Sequence, residues 1–392
     1  MPMKINYLEQ DMYVIRRPPV TLAGEAITQE DRDALAQWIA EGGNLQGDAE
    51  LCLFETALAQ WLGARHVVMV NSGASANLLM LNALKPRLRN RRVVLAELGR
   101  ASTIAPLMQL GFDPYLCPCD PEALSPDLAA LEALFRRERP ALLLMHHILG
   151  VPGDMEAVAA LCARHDVVLL EDARDALGGQ FGGRLLGRFG TAASYSLRRV
   201  LGCLDGGVVV SDDAELVKTM RRLRGTPVGT RADRAQAGDF DQAGFSMHAG
   251  EITAFLGNLK LGRIEQEAAR RSENHAIYQR ELARYYQQKN DQAVICGSGF
   301  GTLVANPDET AEFLRQNRIE SQPMLTRHIA QLPFWQQKYG ATAAATQMER
   351  CGMVLPLHGG LDAVEIVRIA ELFKQVAQPI MPAASTAQSV QA

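Results

Sequence analysis

From residue 66 to residue 211 the chain alternates short β-prone runs with stretches of helical periodicity, a pattern that leaves few folds open. The runs are HVVMV at 66–70, RVVL at 92–95, PYL at 114–116, ALLLM at 141–145 and VVLL at 167–170. Helical stretches follow at 103–110, 127–137 and 154–165, and after a glycine turn at 71–77. Strands that alternate with helices of about ten residues predict an α/β fold, a mostly parallel sheet with helices on both faces. The last run ends in Glu171-Asp172. A carboxylate at the C-terminal end of a buried parallel strand points to the crevice where such sheets take ligands, which makes Asp172 a site candidate. Glycines at 178, 179, 182, 183, 187 and 190 then mark a looped excursion, before a short strand at 192–196 and a Gly206-Gly207 turn into a strand at 208–210.

A chain of 392 residues is too long for one small core. The expected division is a large domain over 1–255 with N-terminal helices, a smaller α+β domain over 256–377, and a disordered Ala/Ser/Gln/Pro-rich tail over 378–392. A single long helix over 252–288 is expected to link the two domains. With 47% apolar and 21% charged residues and a net charge of -4, the composition is that of an ordinary globular chain and gives no reason to expect nucleic-acid binding. Lys218, Arg221, Arg222 and Arg224 read as a solvated helix face, with a rim that attracts a nucleotide diphosphate as the alternative. No run of about 18 apolar residues occurs and MPMKINYLEQ lacks a signal core, so no membrane span and a cytoplasmic location are expected. The seven cysteines lack the spacing of a metal site.

Three motifs carry a resemblance. EDARDALG at 171–178 precedes the serine-containing segment SYSLRR at 194–199 and an acidic-Gly-Gly turn; NSGASANLL opens the helix after the first strand; PLHGGLDAVEIVRIAELF lies near the C-terminus. Together they resemble the DegT/DnrJ/EryC1/StrS sugar aminotransferases, closest to their nucleotide-sugar 3-dehydratase subgroup, over nearly the whole chain. The resemblance implies the fold type I architecture of pyridoxal 5'-phosphate (PLP) enzymes. It also implies a nucleotide-linked keto sugar as substrate, and a homodimer with shared active sites. By the same resemblance Asp172 would pair with the cofactor's ring nitrogen, and Ser72, Gly73, Ala74 and Ser194 would surround its phosphate. Arg100 stands where an aromatic ring usually stacks, and Ser246 where an asparagine reaches the neighbouring subunit.

Arg199 occupies the position that carries the covalently linked lysine in the aminotransferases and a histidine in the 3-dehydratases. A guanidinium stays protonated and can neither condense with an aldehyde nor accept a proton as those groups do. The expectation is therefore PLP or pyridoxamine 5'-phosphate (PMP) bound without a covalent link, Arg199 orienting substrate, and His147, His248 or Asp175 serving as base. Ala74, Arg100, Arg199, Asp205 and Ser246 all depart from the family pattern, which keeps open a divergent homologue with altered chemistry or a non-catalytic binding role.

Overall fold

The structure, a computed structural model, describes residues 18–24, 27–225, 243–288, 292–325 and 342–383. Its centre is a seven-stranded sheet built from β1 (His66–Val70), β2 (Arg92–Ala96), β3 (Asp113–Cys117), β4 (Leu142–His146), β5 (Val168–Asp172), β6 (Ala192–Ser196) and β7 (Gly207–Ser211). The strands lie in the order β1-β7-β6-β5-β4-β2-β3. Only β7 runs antiparallel to its neighbours, because the short turn after β6 returns the chain directly alongside it. The other pairs are parallel, with His146 beside Asp172 and Asp172 beside Ser194 in register. The expected fold class is therefore the one observed.

Both faces of the sheet are buried. Val67, Met69, Leu143, Met145, Leu169 and Tyr195 pack into one core, and Val68, Val70, Leu142, Leu144, Leu170 and Val209 into the other. This alternation is the pleat itself, since successive side chains leave a strand on opposite faces. The helices over the sheet start where polar side chains cap them: Ser72, Asp127, Asp154 and Asp213 each accept from a backbone N–H three residues on. Such caps satisfy amides that have no partner within the helix. Glu171, on the face opposite Asp172, accepts from the amides of Gly187, Phe189 and Gly190 and thereby ties the 186–190 loop to the sheet.

Four expectations are corrected. The linking helix is two helices, Glu251–Leu261 and Ile264–Glu281, broken at Arg263 with φ -115 and ψ 3. The first belongs to the large unit: the Glu251 carboxylate caps helix Ala49–Leu62 by accepting from the amides of Glu50 and Leu51. A boundary at 255/256 would therefore cut that helix in half. The tail is not free over its whole length, because Ala305 donates to the Gln378 carbonyl and Gln378 donates to Asn306 at 2.9 Å; residues 384–392 lie outside the described residues. Arg224 is no solvated charge, being fully buried against the Glu55 carboxylate and the Met69 carbonyl, both at 2.8 Å. The smaller unit is an antiparallel sheet of Phe300–Leu303, Gly352–Leu355 and Gln322–Pro323, covered by helices Pro307–Gln316, Ala343–Cys351 and Ala363–Val376.

Candidate active site

At the C-terminal ends of the parallel strands lies a cavity of about 300 Å³. Its walls bring together Ser72, Gly73, Ala74, Arg100, Asp175 and Arg199, all expected there, with His146, Arg174, Ser196, Arg198 and Asp205. A larger open groove of about 860 Å³, lined by Arg89, Arg92, Arg136 and Arg139 among others, contains none of the motif residues. The first cavity is therefore the candidate site.

One wall is the first turn of helix Gly73–Leu84. Ser72 caps it, accepting from Ser75 N at 3.0 Å, and backbone amides in this turn have no helical carbonyl to meet. Free amides and the helix dipole make this end an anion site. Glycine is required at 73, where a Cβ would lie 2.9 Å from Ser196 Cβ and 3.0 Å from Arg174 Cδ.

The floor is the Arg174 side chain, and beneath it lies Asp172, which has no exposed surface and does not line the cavity. Its Oδ2 accepts from Asn77 Nδ2 at 2.9 Å, Thr103 Oγ1 at 3.0 Å and Arg174 Nη2 at 2.7 Å. Arg174 Nε donates to Oδ1 at 2.7 Å, which makes the pair bidentate. Burial is the largest single influence and raises the Asp172 pKa, but the Arg174 charge, His146 and the hydrogen bonds from Arg174 and Asn77 together outweigh it and hold the carboxyl well below the usual range. Breaking such a buried pair by removing one member costs about 3–5 kcal/mol, so the guanidinium is a fixed part of the floor. The EDxxDALG pattern treated position 174 as variable and gave no sign of this contact.

Two residue assignments move. His147 is buried on the other face, with its Nε2 3.0 Å from Glu171, and does not line the cavity. His146 does, since adjacent strand residues point to opposite sides. Neither His146 ring nitrogen has a partner among the described residues, and burial lowers its pKa to about 4. Ser194 likewise lies behind the floor and donates to Asn77 Oδ1 at 2.5 Å, while Ser196 reaches the cavity. Asn77, which links Ser194 to Asp172, stands within the NSGASAN motif and was legible there.

The remaining charges form a net around Asp175. Arg100 Nη2 lies 3.3 Å and Arg199 Nε 3.6 Å from its carboxylate. Burial pushes the Asp175 pKa up, and Arg100 and Arg199 together pull it below the usual value. Asp175 is therefore a stable anion and a weak base. Four guanidinium groups line the cavity against two carboxylates, those of Asp175 and Asp205, so a negatively charged ligand is favoured. No lysine lines it among the described residues; Lys260 pairs with Asp31 at 3.0 Å. Ser246 is exposed and outside the cavity. His248, half-buried, is also absent from its walls. No cluster of metal-ligating side chains occurs among the described residues.

The sequence matches the DegT/DnrJ/EryC1/StrS aminotransferase family over residues 26–374. The chain belongs to this enzyme family. GDP-perosamine synthase of Caulobacter vibrioides is 26% identical over 382 residues, covering 92% of this chain and 98% of that protein. Among solved structures, S. venezuelae DesV superposes with a TM-score of 0.81 at 24% identity, covering 92% of this chain and 98% of that one. E. coli GDP-4-keto-6-deoxy-D-mannose-3-dehydratase with bound hydrated PLP gives 0.81 at 20% identity, covering 91% and 100%. The fold expected from the motifs is thus the fold of solved family members.

Proposed function

We propose that this DegT/DnrJ/EryC1/StrS family member acts on a nucleotide-linked keto sugar, using PLP or PMP that is not covalently linked to the protein. The observation that carries the reading is one cavity uniting an anion-binding helix start, an Arg174 side chain clamped on the buried strand-end carboxylate of Asp172, and an arginine at 199, with no lysine lining it among the described residues. Relatives named for GDP-perosamine synthesis and for GDP-4-keto-6-deoxymannose 3-dehydration support the substrate class.

The residues fit the phosphate end of the cofactor. Ser72, Gly73 and Ala74 supply the helix-start amides for it, and Ser196, across the cavity from Gly73, takes the place first given to Ser194. The ring end fits less directly, because Asp172 already holds Arg174. When bound, the cofactor supplies an electron-withdrawing ring for bond breaking at the sugar. His146 is the uncharged base in the cavity at neutral pH and can accept a proton, while Arg100, Arg198 and Arg199 orient anionic substrate groups. Saturation of Asp172 by Arg174 favours, as a second reading, a homologue that binds a phosphorylated ligand with altered chemistry or none.

Titration of the purified protein with PLP and with PMP separates these readings. Saturable binding of either, with no lysine-linked absorbance band and no stoichiometric borohydride trapping, is expected; trapping at a mapped lysine overturns the unlinked cofactor, and failure of both to bind leaves the second reading. A homodimer is part of the same proposal. Leu53 and Leu204, about 60% exposed, and Leu45 offer apolar surface beside helix Ala49–Leu62 and at the cavity rim. Sedimentation should give twice the chain mass of 42.8 kDa, and a monomer at micromolar concentration would refute it.

A further inference from the structure

We propose that Arg174, clamped on Asp172, is the group that meets the cofactor's ring nitrogen, so that the ring is bound unprotonated and the carboxylate reaches it only through the guanidinium. The inference rests on the cofactor reading above.

It follows from counting donors and acceptors. A carboxylate offers about four lone-pair directions. On Asp172, Oδ2 takes Asn77, Thr103 and Arg174 Nη2, while Oδ1 takes Arg174 Nε and, more weakly, the Arg174 amide at 3.4 Å. No direction is left for a ring N–H. Arg174 has about five N–H bonds. Nε serves Asp172, Nη2 serves Asp172 and Thr103 Oγ1 at 2.9 Å, and Nη1 serves Ser102 Oγ at 3.0 Å. One Nη1 hydrogen remains, on a side chain that lines the cavity.

A protonated ring nitrogen needs an acceptor, and a guanidinium supplies none. It would also set two positive charges side by side, with Arg100 adding a third. An unprotonated ring nitrogen is an acceptor and matches the spare N–H. Arg174 cannot readily step aside: it is buried, its guanidinium is held by Asp172, Ser102 and Thr103, and its departure would strip Asp172 of its counter-charge in a buried setting. A ring so held would withdraw electrons less strongly than a pyridinium.

The test uses ring-¹⁵N-labelled PMP and nitrogen NMR at pH 7 on the full chain, the Arg174→Ala variant and the Arg174→Lys variant. The expected result is the unprotonated pyridine shift in the unaltered protein and in Arg174→Lys, which keeps a donor, and the protonated shift in Arg174→Ala, where Asp172 is exposed to the ring. A protonated signal in the unaltered protein overturns the proposal, whether or not the variants fold. Binding by Arg174→Ala alone also overturns it, since Arg174 would then exclude the ring instead of meeting it. Absence of binding by all three, while inorganic phosphate still binds, overturns the cofactor reading and this inference with it.

Discussion

Arg199 is an exposed side chain whose ion pair to Asp175 is long at 3.6 Å. Its replacement should disturb the fold little, because a partly exposed pair of this length is worth at most about 1 kcal/mol. Arg199→Lys therefore tests chemistry without testing folding. With PLP added, the variant is expected to show a lysine-linked absorbance band and to be trapped by borohydride at residue 199, with a melting temperature within a few degrees of the parent. A variant that binds PLP but shows no band would mean that the amine at 199 cannot reach the aldehyde. Much of this neighbourhood was legible in single residues: Ser72, Gly73, Ala74, Arg100, Asp175 and Arg199 all line one cavity, and Asp172 lies just beneath its wall, held by Arg174. What escaped has physical causes. His146 and His147 differ by one residue, and strand parity, which the sequence fixes only once register is known, sends one into the cavity and the other to Glu171. Arg174 sits at a position the motif leaves open, so only geometry could reveal that it saturates the adjacent carboxylate.

At the level of elements, the strands and helices of the sheet were legible because each is bounded by local chemistry. Asp127 and Asp154 cap the helices that follow them, and Gly206, with φ 95, makes the turn that reverses β7. The helix break near 263 was hidden for the opposite reason. Gly262 has φ -62 and ψ -16, within the helical region, so no left-handed glycine marks the end, and apolar periodicity runs through it. Nor could the Glu251 cap be read locally, since it lies some 200 residues from the amides of Glu50 and Leu51 that it satisfies. A contact across 72 residues likewise placed Gln378 on the small unit, where composition suggested a free tail.

Over the molecule as a whole, stability should fall as pH drops below neutral, and three histidines set the window. His146 faces Asp172, Asp175, Arg174 and Arg100; His358 faces Arg271 and Glu267; His275 packs against Phe300 and beside Gln279, its Nε2 without a partner among the described residues. Burial lowers the pKa of each from 6.5 to about 4. Below pH 6.5 the unfolded chain takes up protons that the folded chain refuses, so each lowered value favours unfolding progressively down to pH 4. The stabilisation is complete above pH 6.5 and lost on the way to pH 4, with a ceiling of about 3 kcal/mol per histidine. Against a typical total of about 5–15 kcal/mol, three such terms are a large share of the stability. Asp172 and Asp175, with pKa values below the carboxylate norm, contribute their losses only at lower pH. Urea unfolding at pH 7.5, 5.5 and 4.5 is expected to show a falling midpoint, and His275→Phe, remote from the cavity, to reduce the slope by about a third. A midpoint unchanged between pH 7.5 and 4.5 would mean that these side chains find water or partners on protonation and that the interior around them is not dry.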